Sequence, residues 1–342
     1  MSRFGIVQVG AGLWGQSWAE LVTRGRGVRL AGLVDGAKAA RDWAAAALGC
    51  PTFRTLSGAL RSVECDAVLI VAPPAVHRPL VEEALAAGRH VAVEKPFALD
   101  LSDARAIAEA SARAGRRVMV TQNYRFRRQP RALRLLIETC ELGELRGGRI
   151  SCRRDLRDIH VSRDWRGRMP HPYLLDMAIH HVDLLRMITG QELVEVDARS
   201  WPAPSGPFRH DPTVVGVLTL SGDLVVGYEG TWVAPSDWTS WNGDWELVGT
   251  TGRAVWDGGV GDALRGRVTL EGGDGAPRRV TLPSLPALDR LGVLHELRRA
   301  VTAGEEPECS AADNVQSLAA VLALARSTEE RRSVRVEEVL AA

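Results

Sequence analysis

The chain has 342 residues, enough for two domains that each bury a core. Its 43 basic and 42 acidic side chains leave a formal net charge of +1, so there is no basic field for a phosphate backbone and no nucleic-acid partner is expected. A composition of 45% hydrophobic and 25% charged residues excludes wholesale disorder and a polytopic membrane protein.

Up to about residue 122, β-branched runs at Phe4–Val9, Val28–Val34, Ala67–Val71, His90–Val93 and Val118–Thr121 alternate with Ala-rich helical patterns near 14–24, 38–48, 76–87 and 102–114. Strands separated by helices predict right-handed crossovers and a doubly wound parallel sheet. Helical segments at Pro130–Cys140 and Tyr173–Ile188 follow. Strand-like runs with turn signals then fill Glu192 to about Leu282, the pattern of an antiparallel sheet, and helical stretches near 288–303 and 311–327 close the chain. The division expected is 1–122 for a dinucleotide-binding domain and 123–342 for an α+β domain.

The five cysteines, Cys50, Cys65, Cys140, Cys152 and Cys309, are odd in number and widely spaced, which argues against a disulfide framework or a cysteine zinc site. The longest apolar run, Ala67–Val76, is too short to span a bilayer and holds Pro73-Pro74. With no signal-like N-terminal segment, a cytoplasmic protein without membrane partners is expected.

Gly10-Ala11-Gly12-Leu13-Trp14-Gly15 follows the first strand and opens a helix, and Asp35 ends the second strand twenty positions after Gly15. That context marks a dinucleotide site: the glycines let the backbone approach a pyrophosphate at a helix N-terminus, and the carboxylate accepts from ribose hydroxyls. A carboxylate there favours NAD over NADP, while Lys38, three residues on, leaves NADP open.

Of the 43 basic residues only Lys38 and Lys95 are lysines. Lys95 stands in Glu94-Lys95-Pro96, just past the strand ending at Val93, at the strand end where ligands of such sheets bind. There a lysine can hydrogen-bond a substrate hydroxyl and pass on its proton, which arginine cannot. Asp176 and His180, four apart on one helix face, supply a carboxylate and a titratable imidazole: His180 to take an alcohol proton, Asp176 to orient it or Lys95. His181 and Asp183 lie close by, but adjacent histidines diverge by about 100° around a helix and no third ligand stands out, so no metal is assigned.

Together with Ala72-Pro73-Pro74-Ala75-Val76-His77, Ala86-Ala87-Gly88-Arg89-His90-Val91, Asn123-Tyr124-Arg125-Phe126, Trp165-Arg166 and Asp176-Met177-Ala178-Ile179-His180, these motifs resemble the Gfo/Idh/MocA family of NAD(P)-dependent oxidoreductases over nearly the whole chain. The resemblance implies an N-terminal Rossmann domain, then an α+β domain with an open, mostly antiparallel sheet used for homodimer or homotetramer contacts. It places Lys95, Asp176 and His180 at catalytic positions. Ala72, Pro73, His77, Glu94 and Lys95 would line the nicotinamide half of the cofactor, with Trp165 and Arg166 reaching toward it. Asn123, Tyr124 and Arg125 would lie at the substrate. Pro170-His171-Pro172-Tyr173 replaces a glycine run that many members carry, and Tyr173 is expected to reshape the substrate entrance.

The activity so implied is hydride transfer between a secondary alcohol of a sugar, inositol or related cyclic polyol and the nicotinamide ring. Redox-neutral sugar chemistry on a retained cofactor, and a non-catalytic NAD(H) sensor, are the alternatives. Trp232, Trp238, Trp241 and Trp245 would either stack on a sugar or fill the sheet faces or a subunit interface.

Overall fold

The computed structural model describes residues 3–157, 165–203, 207–259, 261–262, 264–272 and 275–342. Two compact units emerge: residues 1–123 with 286–315, and residues 124–285 with 316–342. The first break falls at Asn123/Tyr124, one residue past the expected boundary, and the segment Pro286–Val315 groups with the first unit.

In the first unit, strands β1 (Phe4–Val9), β2 (Val28–Val34), β3 (Thr52–Phe53), β4 (Ala67–Ile70), β5 (His90–Val93) and β6 (Val118–Val120) alternate with helices α1 (Leu13–Arg24), α2 (Lys38–Leu48), α3 (Leu56–Ser62), α4 (His77–Ala86) and α5 (Leu101–Ala114). The strands form one sheet in the order β3-β2-β1-β4-β5-β6, all pairings parallel. Every residue of β1 and β4 is buried, as a strand covered by helices on both faces requires. The order reverses between β1 and β4, which opens the crevice where such sheets bind ligands.

The second unit begins with α6 (Arg128–Glu138), β7 (Leu145–Arg153) and α7 (Ile179–Thr189). It continues with β8 (Leu193–Trp201), β9 (Thr213–Leu220), β10 (Val225–Thr231), β11 (Asp244–Gly249), β12 (Gly252–Trp256), β13 (Val268–Gly272) and β14 (Arg278–Arg279). Helices α8 (Asp289–Ala303) and α9 (Ala311–Glu330), strand β15 (Val334–Arg335) and helix α10 (Val336–Leu340) complete the chain, with α8 in the first unit. The nine-stranded sheet runs β14-β13-β12-β11-β7-β10-β9-β8-β15 and is antiparallel except where β10 pairs with β7. Its core side carries Trp245 and Trp256 stacked at 5.8 Å. Among the described residues no helix is long and apolar enough to cross a membrane.

Candidate active site

The turn after β1 is held by side chains that the motif does not name. Gln8, fully buried, donates from Nε2 to the carbonyls of Gly10 (2.8 Å) and Gly15 (2.7 Å). Gly10 adopts φ +97°, and a Cβ there would lie 2.1 Å from the carbonyl oxygen of Val71. A Cβ on Gly15 would lie 2.4 Å from the Gly10 oxygen, so these two glycines are required by the fold. Gly12 differs. It has ordinary φ −61° and ψ 179°, and among the described residues nothing lies within 4 Å of where its Cβ would go. Among the described residues no side chain caps α1, which leaves its first N–H groups open to an anion, as a pyrophosphate needs. Asp35 accepts from the N–H of Ala11 and of Ala37, both at 2.8 Å, which joins the end of β2 to the glycine turn. The residues therefore fit a dinucleotide. The cation standing against this corner is Arg41, which donates to the carbonyls of Asp35 (2.7 Å) and Gly36 (2.8 Å); Lys38 is exposed and pairs with Asp42 at 2.7 Å.

Lys95 follows β5 at the same carboxyl edge of the sheet, before a cis Lys95–Pro96 peptide. Its neighbour Glu94 is buried, and Oε1 accepts from the indole N–H of Trp18 (2.6 Å) and of Trp14 (3.0 Å), while Oε2 lies 3.2 Å from the Lys95 N–H. The carboxylate thus ties the first turns of α1 to the backbone that carries the lysine. Arg290, from α8, lies 4.5 Å from the Trp14 ring and 5.3 Å from the Trp18 ring and donates to Ser17. Ala72, half-buried, and Pro73, exposed, line the turn after β4. His77 is fully buried, its nitrogens 2.8 Å from the Ala72 carbonyl and 3.3 Å from that of Phe97, and burial holds its pKa below the usual value. It pins two loops together rather than presenting a ring to solvent. Asn123 donates to Asp289 at 2.8 Å; Asp289 opens α8 with φ +52°.

In the second unit the expected helix around Asp176 and His180 opens with a π turn, Leu174–Ala178, and becomes α-helical at Ile179. Such turns concentrate at functional sites. Asp176 is half-buried and His180 buried, one turn further on. The imidazole of His180 stacks on Tyr124, centroids 4.1 Å apart and planes 5° from parallel. Arg127 lies 3.4 Å from the same Tyr124 centroid.

The neighbours of His180 are structural. Asp183 takes a bidentate pair from Arg125, Nε and Nη at 2.6 Å each, and a hydrogen bond from Ser317 at 2.9 Å. The pair is buried, so losing either member would strand a charge at a cost of about 3–5 kcal/mol. Arg125, expected at the substrate, is thus engaged by Asp183. His181 accepts from the Tyr228 hydroxyl at 2.8 Å and places Nε2 3.2 Å from the Trp241 carbonyl; burial lowers its pKa to about 4.

Tyr173 corrects the sequence expectation. It is fully buried, 3.3 Å from the Tyr228 hydroxyl and edge-on to Trp232, and so belongs to the core rather than to a pocket entrance. Its ring occupies the space that a side chain at Gly230 would fill, a Cβ there lying 2.0 Å from Cε1. Trp232 and Trp245 are likewise core; Trp238, exposed, and Trp241 flank Arg154 at 5.8 and 4.7 Å. The side chains of Trp165 and Arg166 lie outside the described residues.

Residues 4–122 match the model of an oxidoreductase family with an NAD-binding Rossmann fold, and residues 131–255 match the GFO/IDH/MocA C-terminal domain. The chain is similar to the inositol 2-dehydrogenase of Rhizobium meliloti, 32% identical over 57% of each chain. It is also similar to the 1,5-anhydro-D-fructose reductase of Ensifer adhaerens, 26% identical over 80% of each. In fold it resembles the aldose-aldose oxidoreductase of Caulobacter crescentus, with TM-score 0.86 and 22% identity over 98% of this chain and 100% of that one. With both domain models matched in order and the glycine turn, Asp35 and Lys95 in place, the chain belongs to the NAD-binding Gfo/Idh/MocA oxidoreductase family.

Proposed function

We propose that the protein oxidises a secondary alcohol of a sugar, inositol or related cyclic polyol, or runs the reverse reduction. The observation that carries this reading is the placement of Lys95 at the edge of the parallel sheet where the glycine turn and Asp35 also lie. Gly10 to Gly15, Asp35 and the turn at Ala72-Pro73 would hold NAD, which supplies the hydride acceptor when bound. His180 takes the hydroxyl proton on an imidazole nitrogen. Lys95 polarises the alcohol or relays its proton, and Asp176 supports this acid–base chemistry. Asn123 remains assigned to substrate. The named activities of the inositol and anhydrofructose relatives support the polyol class.

Self-association through the second sheet belongs to the same reading: Trp201, Val215, Val217 and Val225 are exposed on neighbouring strands β8 to β10. A single-chain mass by light scattering would refute that part. The activity is tested by offering NAD with a panel of cyclitols, aldoses and amino sugars and following reduced-nicotinamide absorbance. Lys95→Ala and His180→Ala are expected to lose turnover; undiminished rates in both would overturn the assignment.

A further inference from the structure

We propose that Tyr124 is a positioning residue for His180: its ring fixes the plane of the imidazole, and Arg127 braces that ring from its other face. The inference rests on the assignment of His180 as proton acceptor made above. A guanidinium 3.4 Å and an imidazole 4.1 Å from one phenol centroid cannot share a face, so the three groups form a stack with Tyr124 in the middle. All three are buried. The stack is anchored at its far end, where Arg127 donates to Oδ1 of Asn242, itself fully buried and held by the Gly258 carbonyl at 2.6 Å and by the Ser240 hydroxyl at 3.0 Å.

A histidine's outer torsion is broad, so backbone position alone leaves the direction of its nitrogens loosely set. The 5° parallel contact removes that freedom and aims the nitrogen lone pair. A proton acceptor works only within hydrogen-bond reach and in line with its donor, so a tilted ring costs rate rather than cofactor affinity. The part of Tyr124 that does this is therefore its ring face. This separates the inference from a role as a substrate contact, in which the hydroxyl would carry the interaction.

The test pairs a substrate-free signature with kinetics. In protein labelled at its 8 histidines, the ring C–H signals of His180, assigned through His180→Gln, are expected upfield from ring current in wild type and Tyr124→Phe. They should move to ordinary positions in Tyr124→Leu. On myo-inositol, or whichever panel polyol reduces NAD fastest, Tyr124→Leu is expected to lower kcat about tenfold to a hundredfold with KM for NAD unchanged, while Tyr124→Phe loses much less. Arg127→Met keeps the phenol but removes its brace, and should broaden the His180 signals and lower kcat less than Tyr124→Leu does; should Tyr124→Leu fail to fold, this variant carries the test. His180 signals unmoved in Tyr124→Leu, or neither moved nor broadened in Arg127→Met where that variant carries the test, or a Tyr124→Phe as slow as Tyr124→Leu, would overturn the inference. If His180→Ala keeps turnover, the catalytic assignment fails; if His180→Ala is dead while Tyr124→Leu is fully active, only the positioning role fails.

Discussion

Gly12 separates what the protein needs from what its ligand needs. Its backbone angles, φ −61° and ψ 179°, suit any residue, and no atom of the described residues lies within 4 Å of a Cβ placed there. Replacing it by alanine removes unfolded-chain freedom, a gain of about 0.4–1 kcal/mol. Alanine is a poorer N-cap than glycine, a loss of similar size, so the two effects nearly cancel. The melting temperature of the ligand-free Gly12→Ala protein should stay within about 2 °C of wild type. Gly10→Ala behaves otherwise: φ +97° alone costs about 1–3 kcal/mol, and the Val71 oxygen at 2.1 Å forces the turn to move. Its melting temperature should fall by about 2–10 °C. NAD reverses the comparison for Gly12, because the new methyl stands in the opening before the uncapped N–H groups of α1. At about 1–3 kcal/mol for overfilling a close contact, affinity should drop about tenfold to a hundredfold. Calorimetric titration with NAD and thermal melts without it provide both readings. A Gly12→Ala protein that binds NAD as tightly as wild type, or melts as low as Gly10→Ala, would refute the reasoning.

Lys95→Arg should keep NAD affinity and lose most turnover, since a guanidinium does not release a proton at workable pH, whereas Lys38→Arg, exposed and able to keep its pair with Asp42, should change neither; titration and steady-state rates decide. Trp18→Phe removes the shorter indole donor to the buried Glu94 carboxylate and should cost about 1.5–3 kcal/mol, seen as a melting temperature lowered by about 3–10 °C; an unchanged melt would show that Trp14 alone satisfies Glu94. His181 titrates near 4 when folded and near 6.5 when unfolded, so the unfolded chain takes up a proton first as pH falls. Stability should therefore be lost between pH 6.5 and 4, by up to about 3 kcal/mol. Urea unfolding across that window should be flatter for His181→Gln, and equal slopes would refute the assignment.

The sequence was most legible where a local rule was enough. β1, β2, β5 and α2 follow from period and punctuation, and the glycine turn from a motif set between strand and helix. β3 and α3 were too short to show a period, and β7 was masked by Gly147-Gly148 in its middle, although it lies at the centre of the second sheet. The second of those glycines is there because a Cβ at Gly148 would come within 2.7 Å of the Glu246 oxygen on β11, a reason that exists only once the strands are paired. The site divides in the same way. Lys95 and His180 stand out as candidates because their chemistry is written in the residue itself. What holds them does not: Glu94 meets indoles 80 and 76 positions away, and Arg125 meets Asp183 58 positions away. Tyr173 shows the reverse failure. Beside a helix that carries candidate catalytic residues a tyrosine looks like a substrate contact, yet its ring is swallowed because β10 carries Gly230 opposite it. The information that decides its role lies 57 residues downstream, in a side chain that is missing. Candidate reactive groups can therefore be proposed from sequence by type, whereas the partners of each buried polar or aromatic group emerge only once the fold brings distant residues together.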